Sequence, residues 1–104
     1  MDHTWKTVED LHVWLDRHAD RTTERATLLQ ILKLSEEVGE VAEAVIGVYG
    51  QNPRKGTTHT WEDVQAELCD VIITAMVALR TLTPDAGQVF TEHLTRVRAR
   101  SAEA

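Results

Sequence analysis

The chain has 104 residues, a net charge of −6 and an apolar fraction of 42%, which fits one globular domain over residues 1–104 and argues against disorder. Its acidic balance argues against non-specific binding to nucleic acid or to an anionic membrane. The single cysteine, Cys69, excludes an internal disulfide and a cysteine-based zinc site and suits a reducing, cytoplasmic setting. The N-terminus, with Asp2 and His3, has no apolar leader segment, and the longest apolar run, residues 71–79, contains Thr74 and is too short to span a bilayer.

The pattern predicts four helices and no strands, an all-α domain. Thr7 followed by Asp10 resembles an N-cap box, with a first helix over residues 8–18 whose apolar side is Leu11, Val13, Trp14 and Leu15. A second helix is expected from Thr22 or Thr23 to about Tyr49. Its stripe of Leu28, Ile31, Leu34, Val38, Val41, Val45 and Val48 steps by threes and fours, one face of a 3.6-residue helix. Gly50 is placed to end it. Gly39 and Gly47 lie inside it and each costs about 1 kcal/mol against alanine, so close approach of a partner helix or a ligand is expected at Gly39. Residues 51–59 form the main loop, with Asn52, Pro53, Arg54, Lys55 and Gly56. Thr60 and Asp63 cap a third helix, residues 61–82. Thr83 and Pro84 then start a fourth, residues 85–100, with a frayed tail after it.

Five carboxylates stand out: Glu36, Glu37 and Glu40, then Glu67 and Asp70, the pattern EExxE followed by ExxD. At about 100° per residue, Lys33, Glu36, Glu37 and Glu40 share one face of the second helix. Taken alone, that face reads equally well as a solvated acidic surface. The third helix is more telling. Leu68, Val71, Ile72, Ile73, Ala75, Met76, Val77 and Leu79 cover almost its whole circumference, the pattern of a buried helix. Glu67, Asp70 and Thr74 form a narrow polar stripe on it. If the two helices pack antiparallel, the acid clusters face each other. Charges crowded there repel unless a cation offsets them. Oxygen-only ligands favour Mg2+, or Mn2+, over zinc, and Mg2+ commonly accompanies a phosphorylated substrate.

These residues carry a resemblance. The segments LKLSEEVGEVAEA, NPRKG and AELCDVIITA, about half the chain, are similar to the MazG-like, all-α nucleoside triphosphate pyrophosphatases. The resemblance implies a four-helix MazG-like bundle assembled as a homodimer or homotetramer. It implies Mg2+-dependent hydrolysis of an NTP or dNTP to the monophosphate and pyrophosphate, in the service of clearing nucleotides. It places Glu37, Glu40, Glu67 and Asp70 on metal. Glu36 matches the first acid of the motif and is assigned to a further metal or to orienting and deprotonating the attacking water, which makes Glu36 and Glu37 the catalytic pair. The chain departs from many members in its fourth helix, where TEHLTRVRAR supplies Arg96, Arg98 and Arg100 but no asparagine.

Lys33, one turn before Glu36, is a candidate phosphate ligand or an ion-pair partner of the glutamates. Arg54 and Lys55, on the loop between the two acidic helices, are candidates for the β- and γ-phosphates. Trp14 is a candidate base-stacking residue or a packing residue. Asn52 is a candidate for base or sugar edges, and so is His18. Cys69 reads as a buried packing residue. Two other functions compete. A di-iron bundle needs Glu-x-x-His pairs, and only Glu9 and His12 have that spacing. A non-catalytic helical module would bind a nucleotide or a protein without turnover.

Overall fold

Residues 3–18 and 24–103 are described by a computed structural model, and among them there are four helices and no strand: α1 (Thr4–His18), α2 (Glu24–Tyr49), α3 (Trp61–Leu82) and α4 (Ala86–Glu103). The expected ends of α2 and α3 are built as the local chemistry dictates. Gly50 sits at φ 62°, and the Gln51 and Gly50 amides donate to the Ile46 and Gly47 carbonyls at 3.3 and 3.4 Å. This is a Schellman closure, which favours glycine at the left-handed position. Thr60 Oγ1 accepts from the Asp63 amide at 3.2 Å, and Asp63 Oδ2 accepts from the Thr60 amide at 2.9 Å, a complete capping box. That backbone hydrogen bond holds the Asp63 carboxyl below its usual pKa.

Other boundaries differ from expectation. α1 begins at Thr4, and Thr7 lies inside it, its amide donating to the His3 carbonyl at 3.0 Å. Asp10 is taken by Lys6, one turn earlier, at 2.9 Å and caps nothing. The expected start of α2 at Thr22 or Thr23 lies outside the described residues. Thr83 Oγ1 accepts from the Asp85 amide at 3.1 Å as expected of a capping threonine, but the regular helix starts one residue later, at Ala86. The tail is helical through Glu103, with Ser101 Oγ donating to the Val97 carbonyl at 3.0 Å.

α3 is the centre. It packs along α2, holds α1 at a smaller contact, and touches α4 least. The α2 and α3 partners run in opposite senses, since Gly47 meets Thr58 while Glu37 meets Asp70, so the pair is an antiparallel hairpin. The Arg80 guanidinium forks onto Glu9 and fixes α1 to α3, with Nη2 3.1 Å from Oε1. Among the described residues α4 is anchored near its start, where Ala86 is buried, Gly87 lies against Trp5, and Phe90 meets Trp5 at 6.1 Å between ring centres.

The core of the single chain is thin: Val8, Ala44, Val64, Val77, Ala78 and Ala86, with Thr74 as its buried polar member. Two expectations are corrected. Cys69, expected as a buried packing residue, is exposed, and the single chain also leaves Leu68, Ile72 and Ile73 of α3 exposed. The apolar stripe of α2 is only partly covered, with Leu28 and Val38 exposed. Among the described residues, no helix is long and apolar enough to cross a membrane.

Candidate metal centre

The α2–α3 seam is where the carboxylates meet. Small side chains permit the close approach: Ala44 is 1% exposed and Ala78 4%. Between them Glu37 from α2 and Glu67 and Asp70 from α3 each offer an oxygen, and these oxygens lie within 4.8 Å of one another. Glu37 and Glu67 are half-buried and Asp70 is exposed. Glu67 Oε2 is buried without a hydrogen-bond partner, and such an orphaned acceptor is unfavourable unless something else meets it.

Burial and crowding show in the electrostatics. Burial pushes the Glu37 carboxyl above its usual pKa, with Glu40, Asp70 and Glu36 adding to the rise and the Lys33 ammonium opposing it. Glu40 is raised by burial first, then by Glu67 through hydrogen bonding and charge, and also by Glu36, while a hydrogen bond involving Glu37 works the other way. Four of the five acids are thereby linked at the seam. Glu36 is exposed and acts on Glu37 and Glu40 as a neighbouring charge, outside the three-oxygen group.

A hard divalent cation fits this donor set. All donors are carboxylate oxygens, and oxygens about 2.1 Å from one Mg2+ lie at most about 4.2 Å apart. A slight contraction from 4.8 Å would seat one. The orphaned Glu67 oxygen is the natural place for the offsetting charge.

The basic and aromatic candidates divide. Lys33 is exposed beside Glu37. Lys55 and Asn52 line a small pocket of about 100 Å³ with Glu43, Gly47, Thr58 and His59, at the loop end of α2. At 1.5 Å per residue, Gly47 is about 10 Å along α2 from Glu40. Arg54 is exposed on the same loop, its amide donating to Asn52 Oδ1 at 3.0 Å. That bond, with the Lys55 and Gly56 amides on the Asn52 carbonyl, makes Asn52 a builder of the loop. Trp14 is exposed on α1 and stacks on His18 at 4.6 Å. Trp14 thus lies on α1 and Asn52 on the loop after α2, whereas the acidic group is built by α2 and α3.

Glu43 and His59 were not singled out by sequence. The signal available for Glu43 was spacing, since Glu36, Glu40, Glu43 and Gly47 step by four, three and four along one helix. His59 carries no such signal. It is held by Thr58 Oγ1 at 2.8 Å and occupies the space a side chain at Gly47 would need. Comparison with protein-family models, characterised proteins and solved structures finds no match to this chain.

Proposed function

We propose that this chain is a MazG-like, homo-oligomeric nucleoside triphosphate pyrophosphohydrolase dependent on Mg2+, with Mn2+ as a substitute, working in the cytoplasm on unwanted (deoxy)nucleoside triphosphates. The observation that carries the reading is the meeting of Glu37, Glu67 and Asp70 oxygens within 4.8 Å at a helix seam. A solvated acidic surface has no reason to half-bury two of its carboxylates and orphan one oxygen.

In this reading Glu37, Glu40, Glu67 and Asp70 hold the cation. When bound, Mg2+ neutralises triphosphate charge and polarises the phosphoryl oxygens. Glu36, exposed at the edge of the cluster, orients a water molecule and accepts its proton as the water oxygen attacks the α-phosphorus. The bond from the α-phosphorus to the bridging oxygen breaks, and that oxygen leaves with pyrophosphate. Lys33 lies one turn before the acids on α2, and Arg54 and Lys55 lie on the loop beyond its C-terminal end, so cationic groups flank the acids on both sides along the helix. They stabilise the charge that builds on the leaving group.

The test is a panel of NTPs and dNTPs incubated with and without Mg2+ or Mn2+, with monophosphate and pyrophosphate resolved as products. Metal-dependent release of pyrophosphate is expected for at least one of them. Orthophosphate as the first product, or turnover indifferent to EDTA, would overturn the reaction assigned here.

A further inference from the structure

The surface of the single chain is too large for its mass. A compact protein of 11.7 kDa exposes about 5,900 Å², whereas this chain exposes 7938 Å². Its radius of gyration is 16.9 Å, against about 13 Å expected for a compact domain of this length. The excess of about 2,000 Å² is the amount an obligate dimer removes from each chain, about 1,000–2,500 Å².

Two apolar features share one side of the molecule. The first is a cleft of about 560 Å³ whose walls include Trp5, Ile72, Met76, Leu79 and Phe90. The second is α4, a helix about 27 Å long whose residues 88–102 are all exposed. Phe90, Leu94 and Val97 repeat at steps of four and three along it, a single apolar stripe that is left exposed among the described residues, with only Phe90 touching Trp5 at its start. Phe90 belongs to both, so the stripe runs out of the cleft along α4. A helix of mean polar character with one apolar stripe is marginal by itself.

We propose that α4 of one chain docks its Phe90–Leu94–Val97 stripe into the α1–α3 cleft of a second copy, which returns its own α4 in exchange. A two-fold axis requires a surface to be complementary to itself. A ridge and a groove joined at Phe90 meet that condition, each copy offering what the other lacks. The proposal rests on the homo-oligomeric reading above and adds the surfaces and their reciprocity. It is independent of the acids on the α2–α3 seam.

The experiment is sedimentation velocity on the full chain and two variants at micromolar concentration, with far-ultraviolet circular dichroism to check helix content. Leu94 and Ile72 are 54% and 58% exposed in the single chain, so Leu94→Glu and Ile72→Glu disturb little within it. Leu94→Ser replaces Leu94→Glu if the glutamate lowers helix content. The wild type is expected at twice the mass of one chain. Each variant alone is expected to weaken association about 30-fold or more. A 1:1 mixture of the two is expected to associate more tightly than either variant alone, because one of its two dockings pairs the intact α4 of the Ile72→Glu chain with the intact cleft of the Leu94→Glu chain while the other carries both glutamates. A monomeric wild type overturns both this proposal and the homo-oligomeric reading. A dimer that survives both variants overturns only the surfaces, and loss of association without recovery on mixing overturns the reciprocity.

Discussion

The α2–α3 seam and the α4 helix use side chains in opposite ways. At the seam Glu37 and Glu67 are half-buried and their charges crowd, while on α4 and the neighbouring face of α3 Phe90, Leu94, Val97 and Ile72 lie open to solvent. Each arrangement is unfavourable for an isolated chain, for different reasons. Buried carboxylates repel and lose hydration, and exposed apolar stripes forgo the burial that stabilises helices. In the proposed reading a cation offsets the first and a second copy offsets the second. On that reading the two regions separate chemistry from assembly, and each can be broken without the other.

The largest effect is expected at the seam. Asp70→Asn and Glu67→Gln each remove a ligand charge and should lower metal-dependent turnover by about 100-fold or more, with sedimentation unchanged. The metal-free proteins should melt higher than wild type, because a repelling charge is gone. The same carboxylates set a pH dependence. Glu37 and Glu40 have folded pKa values above their ordinary 4.5. Their contribution to stability is fully present below 4.5 and is lost as pH rises through the raised values. Melting in EDTA should therefore show stability falling as pH climbs from 4.5 towards neutrality, and Glu37→Gln should flatten that fall. Glu9 and Asp63 have lowered values, so their contributions are lost only as pH drops below their ordinary range, outside this window.

The next effect tests whether the seam needs its small residues. Ala44 is 1% exposed between the two helices. Ala44→Leu should cost about 1–3 kcal/mol by overpacking and should lower turnover, because it pushes Glu37 and Glu40 away from Glu67 and Asp70. Denaturant unfolding and the pyrophosphate assay read the two consequences. Retained activity with lost stability would mean that the acids do not need this separation. Thr60→Ala removes one arm of the capping box and should cost about 1 kcal/mol, read by the same unfolding curve, with a smaller loss of turnover because the acids lie two turns further into α3.

The acid clusters were legible because their spacing is helical and because Glu67, Asp70 and Thr74 interrupt an otherwise apolar helix. The capping box at Thr60 and the closure at Gly50 were legible because each rests on residues adjacent in sequence. What periodicity alone left open was how much of the burial the single chain supplies. The all-round apolarity of α3 predicted a covered helix, and in the single chain Leu68, Ile72 and Cys69 are exposed. A hydrophobic pattern records what a residue meets in the finished assembly, and it does not say whether the neighbour belongs to the same chain. The N-cap expected at Thr7 failed for a local reason: Lys6 captures Asp10 one turn away, and the helix closes earlier on His3. Trp14 was chosen for its chemistry without a spatial argument, and its ring rests on His18 of its own helix.

The smallest expected effect is a gain, at Gly39. The sequence suggested that something approaches this glycine closely, since a glycine inside a helix costs about 1 kcal/mol. In the single chain a methyl group placed there meets nothing within 4 Å. Its neighbours on that outer face of α2 include Leu32 and Ile46, both more than half exposed. If the second copy docks through α4 and the α1–α3 cleft, this face stays open, and Gly39→Ala should stabilise the protein by about 1 kcal/mol without changing its sedimentation. If the second copy instead lies against α2, the added methyl meets it, and the substitution should weaken association and lower the melting temperature. Unfolding and sedimentation of this one variant thus ask which apolar face is covered, without placing a charge on either.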